Sequence, residues 1–155
     1  MKITVLIDNI SKNIKLAKEW GLSVFVENDD GKRVLLDCGM SGVFVRNAKE
    51  LGVDLSRVDA GVLSHAHFDH SNGLKKFFGV NSDAKFYLRD CVDENCYHTY
   101  RFFYKYIGIK RGWLKKYNER FSRAGGDFKL FDNVYLIPHK TDGLEAKGRA
   151  AHLSV

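Results

Sequence analysis

The sequence predicts an α/β domain, and three observations support this prediction. Helical and strand patterns alternate along the chain, an Asp-Gly turn between two apolar runs indicates a β-hairpin, and the composition is that of a globular protein. Of the 155 residues, 45% are hydrophobic, 28% are charged and 13% are aromatic. This composition excludes collagen-like, low-complexity and disordered chains. A chain of this length buries roughly two-thirds of its extended surface on folding, so we expect one domain over residues 1–155.

The N-terminal part of the chain predicts a strand, a helix and a hairpin. Residues 3–8 are mostly apolar and are predicted to form a strand, and Ser11 is a candidate N-cap for a helix over residues 11–20. Apolar runs at residues 22–26 and 33–37 flank the Asp-Gly turn. This arrangement is typical of a β-hairpin.

Helices and strands continue to alternate up to residue 89, and a second hairpin follows. The predicted elements are a helix over residues 42–51, a strand over 59–64, a helix over 71–79, a strand over 84–89, a hairpin over 128–137 and a strand over 151–155. Apolar residues at helical spacing support the first helix, and Gly52 is a typical C-terminal stop. Pro138 ends the hairpin because proline cannot donate to a sheet ladder. The order β, ββ, α, β, α, β favours an α/β fold with antiparallel hairpins mixed in.

Four candidate metal ligands lie within six residues, directly after the predicted strand 59–64: His65, His67, Asp69 and His70. Neutral imidazole and carboxylate groups are ligands that zinc, iron(II) and manganese accept. In a tight loop, His65 and His67 can face one metal, while Asp69 and His70 lie beyond the turn and can serve a second. The alternative is a polar loop of solvated histidines. The density of ligands after an apolar strand favours the metal site.

The segment His65-Ala66-His67-Phe68-Asp69-His70 resembles the H-x-H-x-D-H signature of the metallo-β-lactamase superfamily. Its context is also similar, because a hairpin ending at residues 37–39, a helix and a short strand precede it. Within the superfamily the sequence most resembles the subfamily typified by dihydropterin aminobenzene-phosphate synthase, on the Asp8-Asn9 step and on residues 64–73. The resemblance implies an αββα sandwich, of which we expect the first αβ half plus a lid insertion.

The resemblance also implies roles for individual residues. His65 and His67 would bind a first metal ion, and Asp69 and His70 a second. Asp69 would in addition be catalytic by orienting the attacking water. Asp37 would accept a hydrogen bond from an imidazole N–H and so fix the ring, although an ordinary turn aspartate is an equal alternative. The implied cofactors are one or two divalent transition metal ions, Zn²⁺ first, with Mn²⁺ or Fe²⁺ as alternatives.

The family has three further ligands downstream, and this sequence lacks their local pattern. After the signature it offers only His98, His139 and His152, each a candidate substitute ligand. We therefore expect that the chain stops before the second half of the domain, as a natural fragment or a shortened form. Such a chain would expose an apolar sheet face larger than a monomer tolerates. A homo-oligomer, or a partner chain that covers this face, is the expected consequence.

The net charge of +6 is concentrated in residues 97–123, which hold eight basic residues and one acid. Nine aromatic residues accompany them: Tyr97, Tyr100, Phe102, Phe103, Tyr104, Tyr106, Trp113, Tyr117 and Phe121. We predict that residues 91–123 form a basic aromatic lid insertion, helical over about 113–123. Three interpretations stay open for it: a cap that attracts a phosphorylated substrate, a nucleic-acid-binding module beside a structural histidine cluster, or a packed helix with a solvated basic face.

The function expected from these features is that of a metal-dependent hydrolase. Metal-activated water would attack a phosphorylated small molecule, and the alternative is the basic nucleic-acid-binding module. No apolar run approaches the ~18 residues of a membrane span, and the N-terminus lacks the apolar region of a signal peptide. The three cysteines are odd in number and irregularly spaced. Reduced thiols, and hence a cytoplasmic location, are the expectation.

Overall fold

A mixed β-sheet with helices on one face organises the chain. The computed structural model describes residues 1–137 and the strand Leu153–Ser154. Its strands are β1 (Lys2–Ile7), β2 (Ser23–Glu27), β3 (Arg33–Leu36), β4 (Ala60–Val62), β5 (Lys85–Arg89), β6 (Tyr97–Tyr100), β7 (Phe103–Tyr106), β8 (Phe121–Ala124), β9 (Phe128–Phe131), β10 (Val134–Leu136) and β11 (Leu153–Ser154). Its α-helices are α1 (Val43–Glu50), α2 (Phe68–Ser71), α3 (Leu74–Val80) and α4 (Trp113–Lys116). Short 3-10 helices span Leu55–Arg57 and Asn118–Arg120.

The main sheet has six strands in the order β1-β2-β3-β4-β5-β8. Strands β1, β2 and β3 are antiparallel neighbours, whereas β3, β4, β5 and β8 run parallel to one another. Two smaller sheets pair β9 with β10 and place β6 between β11 and β7. The predicted α/β class is therefore confirmed, as are both predicted hairpins and the helix over 42–51.

The core lies between α1, α3 and one face of the main sheet. Phe44 of α1 and Phe77 of α3 are fully buried in the same cluster as Leu35 and Phe86 of the sheet. The rings of Phe77 and Phe86 meet edge to face with their centroids 5.2 Å apart, a favourable geometry for aromatic pairs. Gly61 lies in β4, between β3 and β5, and leaves room for the Phe86 ring. A Cβ on Gly61 would lie 2.2 Å from that ring.

The opposite face of the sheet is apolar but only partly covered by the described residues. Side chains alternate between the two faces of a strand, so Ile3 and Val5 of β1 point away from the core. They are 58% and 50% exposed. The β9–β10 hairpin covers the part of this face near β5, where the Phe128 and Tyr87 rings contact each other with their centroids 5.5 Å apart.

The predicted helix over residues 11–20 is wrong, because this segment forms turns without helical structure. Hydrogen bonds from distant residues explain the difference. The buried Asn47 side chain accepts from the Ala17 N–H at 3.0 Å and donates to the Ala17 carbonyl at 2.7 Å. Glu19 accepts from the backbone N–H groups of Met40 and Ser41. Asn47 thus takes the two backbone groups of Ala17 that a helix would pair internally, and Glu19 ties the segment to residues 40 and 41.

The C-terminal predictions also need correction. The predicted helix over 113–123 ends as an α-helix at Lys116, and Phe121–Ala124 is instead strand β8 of the main sheet. Phe121 packs its ring 5.8 Å from that of Phe78, which draws the segment onto the core. The predicted helix over 71–79 is observed as α2 and α3. His139 and His152 lie outside the described residues. Within the described part of the chain, no helix is long and apolar enough to cross a membrane.

Candidate metal centre

The four candidate ligands follow the carboxyl end of β4: His65 and His67 lie in the loop, and Asp69 and His70 lie in the short helix α2. Strands β3 and β4 are parallel neighbours, so the segments that follow them meet at the same edge of the sheet. The Asp37 N–H donates to the Val62 carbonyl at 2.9 Å. Open α/β sheets bind ligands at this edge. The topology therefore brings residues 37–39 against the histidine loop.

The structure brings three of the four candidates into one group. Single ligand atoms of His65, Asp69 and His70 all lie within 4.8 Å of one another. The His65 and His70 ring centroids are 4.0 Å apart, and His70 Nε2 is 3.6 Å from Asp69 Oδ2. His67 lies beside this group rather than within it, with its ring perpendicular to that of His65 at 4.6 Å. The arrangement presents imidazole nitrogens and a carboxylate to a common point.

The buried Asp37 supports this group through a part-buried hydrogen-bond network. Its carboxylate is fully buried, and its Oδ2 atom lies 2.7 Å from His70 Nδ1. Ser64 donates to it twice, from its N–H at 2.8 Å and from its hydroxyl at 2.6 Å. With Nδ1 of His70 engaged by Asp37, Nε2 faces the ligand group. Partners of this kind fix the orientation and tautomer of a metal-binding imidazole.

Ser64 is a site residue that the sequence interpretation missed. Its hydroxyl lies 2.9 Å from His65 Nδ1 as well as 2.6 Å from Asp37 Oδ2. Ser64 contacts His65 directly and reaches His70 through the Asp37 carboxylate, so one hydrogen-bond chain joins the two histidines. The only signal in the sequence is its position immediately before the motif.

The surroundings of the three histidines shift their pKa values in different directions. Burial, followed by the neighbouring His70 and His67, lowers the pKa of His65 to about 4. Burial also lowers the pKa of His67. Burial opposes protonation of His70 too, but the hydrogen bond and charge of Asp37, with the charge of Asp69, raise its pKa. At neutral pH His65 is thus a neutral imidazole with a lone pair available for a metal.

Two glycines allow the backbone segments around the site to approach closely. A Cβ on Gly73 would lie 1.9 Å from the Cys38 carbonyl oxygen, and one on Gly21 would lie 1.9 Å from that of Asp69. In the same region the Cys38 N–H donates to the His70 carbonyl at 2.8 Å. Backbone atoms cannot move aside as a flexible side chain can, so these positions require glycine.

We expect Gly73→Ala to destabilise the protein by at least ~1–3 kcal/mol, the usual cost of overpacking. The residue has φ −72°, which alanine adopts readily, so lack of space is the cause. Gly79→Ala is the matched control, because Gly79 lies in α3 with nothing within 4 Å of a Cβ. That change should stabilise the helix by up to ~1 kcal/mol. Urea denaturation measures both, and equal midpoints for the two variants would contradict the close approach.

The parallel-strand edge, the His/Asp group and the supporting aspartate define a candidate metal site on an α/β sheet. Residues 21–144 match the family described as the Metallo-beta-lactamase superfamily. This match covers more than half of the chain, and the chain belongs to this superfamily.

Three relatives show how much of the chain is shared. Ribonuclease TTHA0252 from Thermus thermophilus is 50% identical over 50 residues, which are 31% of this chain and 12% of the ribonuclease. The uncharacterized protein MJ0448 from Methanocaldococcus jannaschii is 36% identical over 73 residues, 47% of this chain and 28% of that protein. The crystal structure of Tm1679, a metal-dependent hydrolase of the beta-lactamase superfamily, superposes with a TM-score of 0.61 at 25% identity, covering 87% of this chain and 46% of Tm1679. The chain thus spans less than half the length of each.

Proposed function

We propose that the protein is a metal-dependent hydrolase whose ions are held by His65, His67, Asp69 and His70. The convergence of the His65, Asp69 and His70 ligand atoms within 4.8 Å carries this proposal. We expect one or two divalent ions, Zn²⁺ first, with Mn²⁺ or Fe²⁺ as alternatives. The Ser-His-Ala-His-Phe-Asp-His-Ser-Asn-Gly run over residues 64–73 supports a place in the subfamily of dihydropterin aminobenzene-phosphate synthase.

The donor set fits such an ion. Imidazole nitrogen and carboxylate oxygen are ordinary ligands of zinc, manganese and iron(II). Cys38 lies next to Asp37, but burial and then the Asp37 charge raise the pKa of its thiol well above the usual value. The thiol therefore stays protonated, and a thiolate is the form that binds metals. The residues present favour nitrogen and oxygen coordination.

The chemistry follows from the positions of these residues. A bound divalent ion supplies Lewis acidity and makes water nucleophilic near neutral pH. Asp69 accepts a hydrogen bond from the attacking water and so orients it. Asp37 fixes His70, and Ser64 links His65 to the same carboxylate. These contacts hold the ligand groups in place before the substrate arrives, which lowers the cost of reorganisation during reaction.

The proposed substrate is a phosphorylated small molecule, and the basic residues of the predicted lid insertion, of which residues 91–120 lie outside the main sheet, support this class. The lid borders the ligand loop directly, because the Phe68 N–H donates to the Ile107 carbonyl at 2.9 Å and His67 pairs with Gly108. Positive charge beside a site attracts anionic substrates. The Thermus relative is named a ribonuclease, and its substrate is also a phosphate ester.

We expect the chain with added Zn²⁺ or Mn²⁺ to hydrolyse bis(p-nitrophenyl) phosphate very slowly or below detection. The described residues offer four candidate ligands, whereas each catalytic zinc normally takes three from the protein. A loss of ~3–4 kcal/mol of transition-state stabilisation lowers the rate by a factor of several hundred. Release of p-nitrophenolate measures turnover. Asp69→Ala should remove whatever metal-dependent rate remains, and Asp132→Ala, an exposed turn carboxylate, is the control.

Two results would contradict this assignment. If metal-dependent hydrolysis persists in Asp69→Ala, Asp69 is not needed to orient the attacking water. Fast turnover by the unmodified chain would show that other residues complete the ligand set.

We further propose that a second copy of the chain covers the open sheet face around Ile3 and Val5. Strand β1 is an edge strand of the main sheet, so its apolar residues are accessible to another copy. We expect light scattering to show an oligomer, and Ile3→Glu with Val5→Glu to shift it to a monomer. Ile14→Glu is the control, because this side chain is fully exposed outside the sheet. A monomer at all concentrations would contradict the proposal.

A further inference from the structure

The β6–β7 hairpin displays aromatic side chains to solvent beside the metal centre. Strands β6 and β7 pair antiparallel around the turn Arg101–Phe102, and β7 is the outer strand of its three-stranded sheet. Phe102 is 84% exposed and Tyr104 is 71% exposed. Exposed aromatic clusters usually mark a binding surface.

One face of the hairpin carries an aromatic row capped by a guanidinium. Tyr97 pairs with Tyr106, and Thr99 pairs with Tyr104, so these four residues share a face. The Arg111 guanidinium lies 4.1 Å from the Tyr106 ring centroid and donates to the Tyr97 hydroxyl at 2.9 Å. These contacts hold the inner end of the row in place. Tyr104, at the outer end, presents its ring to solvent as a flat stacking surface.

All the charged residues between positions 96 and 112 are basic: Arg101, Lys105, Lys110 and Arg111. All four are exposed. The nearest carboxylate in sequence, Glu94, accepts a hydrogen bond from the Gly112 N–H. The hairpin thus combines exposed aromatic rings with an excess of positive charge, a combination that suits a polyanion with flat groups.

The base of the hairpin touches the ligand loop. The Ile107 N–H donates to the Cys96 carbonyl at 3.0 Å, and the next residue, Gly108, pairs with His67. A strand of four residues extends the hairpin by roughly 13 Å. A small molecule enclosed at the metal centre does not reach Tyr104 and Phe102 across that distance. An extended ligand does.

We propose that the β6–β7 hairpin binds single-stranded nucleic acid, with bases stacked on Tyr104 and Phe102 and a phosphate on Arg101 at the turn. The bound strand runs toward the ligand loop, and this last step alone rests on the proposed function. Base stacking on exposed aromatic side chains tolerates any sequence. A single strand is therefore preferred over a duplex, whose bases are already stacked.

Fluorescence anisotropy with a labelled single-stranded RNA of about 20 nucleotides tests the proposal. The buffer contains EDTA, so that binding is measured without metal or hydrolysis. We expect Tyr104→Ala with Phe102→Ala to weaken binding at least tenfold, from the ~1–3 kcal/mol per stacked base. The matched control is Tyr135→Ala, because Tyr135 is a 56% exposed tyrosine on β10. An abasic strand of equal length should bind at least tenfold more weakly than the RNA.

A charge variant supplies a second readout. Arg101→Ala should reduce the slope of log affinity against log salt by about 0.7, the value for one lost phosphate contact on a single strand. Lys12→Ala removes the same charge elsewhere and should leave the slope unchanged. Circular dichroism confirms that each variant is folded.

Several outcomes would overturn the inference: no binding at low salt, equal binding of the abasic strand, equal loss in the control variants, or a preference for duplex. Binding of anionic lipid vesicles without RNA binding, or self-association lost in the aromatic variant, would assign the hairpin to a membrane or to a second copy. Because the titration excludes metal, inactive metal sites leave its result unchanged. RNA binding by a chain that takes up no metal ion would contradict the proposed function but not this surface.

Discussion

Replacing His65 and His67 together by alanine should strongly weaken transition-metal binding. His65 belongs to the group whose ligand atoms lie within 4.8 Å, and His67 stands next to it with ring centroids 4.6 Å apart. Loss of a supporting partner alone typically lowers metal affinity 10–100-fold, so loss of two candidate ligands should exceed about 100-fold. Mass spectrometry of the dialysed protein after loading with Zn²⁺ measures the metal content.

The control for this experiment is His98→Ala. His98 lies on β6, outside the ligand group, so its removal should leave the metal content unchanged. Equal metal content in the double variant and the unmodified chain would show that the ions bind elsewhere. The site assignment would then fail, together with the proposed hydrolase.

Asp37→Ala should produce the second large effect, on stability and metal affinity together. The change leaves His70 Nδ1 and two Ser64 donors without their acceptor. Ser64 is exposed, so water can replace part of the lost hydrogen bonding, and we expect a loss of ~1–3 kcal/mol, the cost of about one unsatisfied buried group. Metal affinity should fall 10–100-fold. Urea denaturation and Zn²⁺ titration against a competing chelator measure the two effects.

Asp37→Asn tests whether Asp37 acts through its charge and hydrogen bonds or only through its backbone conformation. Asp37 has φ +58°, a left-handed conformation that asparagine tolerates nearly as well as aspartate. The amide keeps one acceptor oxygen but cannot accept at its nitrogen, so we expect an intermediate loss. If Asp37→Asn binds metal as tightly as the unmodified chain, Asp37 acts only as a turn residue.

The sequence alone predicted those features whose determinants lie close together along the chain. The hairpin β2–β3 followed from apolar runs around an Asp-Gly turn, and α1 from apolar residues at helical spacing before Gly52. The candidate ligands were found because His65, His67, Asp69 and His70 fall within six residues. In each case the contacts that matter join residues a few positions apart, so the sequence pattern reflects them directly.

The wrong predictions occurred where distant residues compete for the same backbone groups. Ser11 indicated a helix that does not form, because Asn47 takes both the N–H and the carbonyl of Ala17. Phe121 was placed in a helix but lies in β8, because parallel pairing with Phe86 places it in the main sheet. Helical spacing carries no information about such partners, since they lie 30 or more residues away in sequence.

Within the site, the amino-acid sequence alone specifies the ligand types, whereas their arrangement depends on how the chain folds. Asp37 meets His70 across 33 residues because β3 and β4 are parallel neighbours that end at the same edge of the sheet. The grouping of His65 with Asp69 and His70, with His67 beside it, also depends on the loop conformation. Close backbone approach at Gly73 and Gly21 sets that conformation. Ligand identity is a local chemical property, whereas ligand geometry results from chain packing.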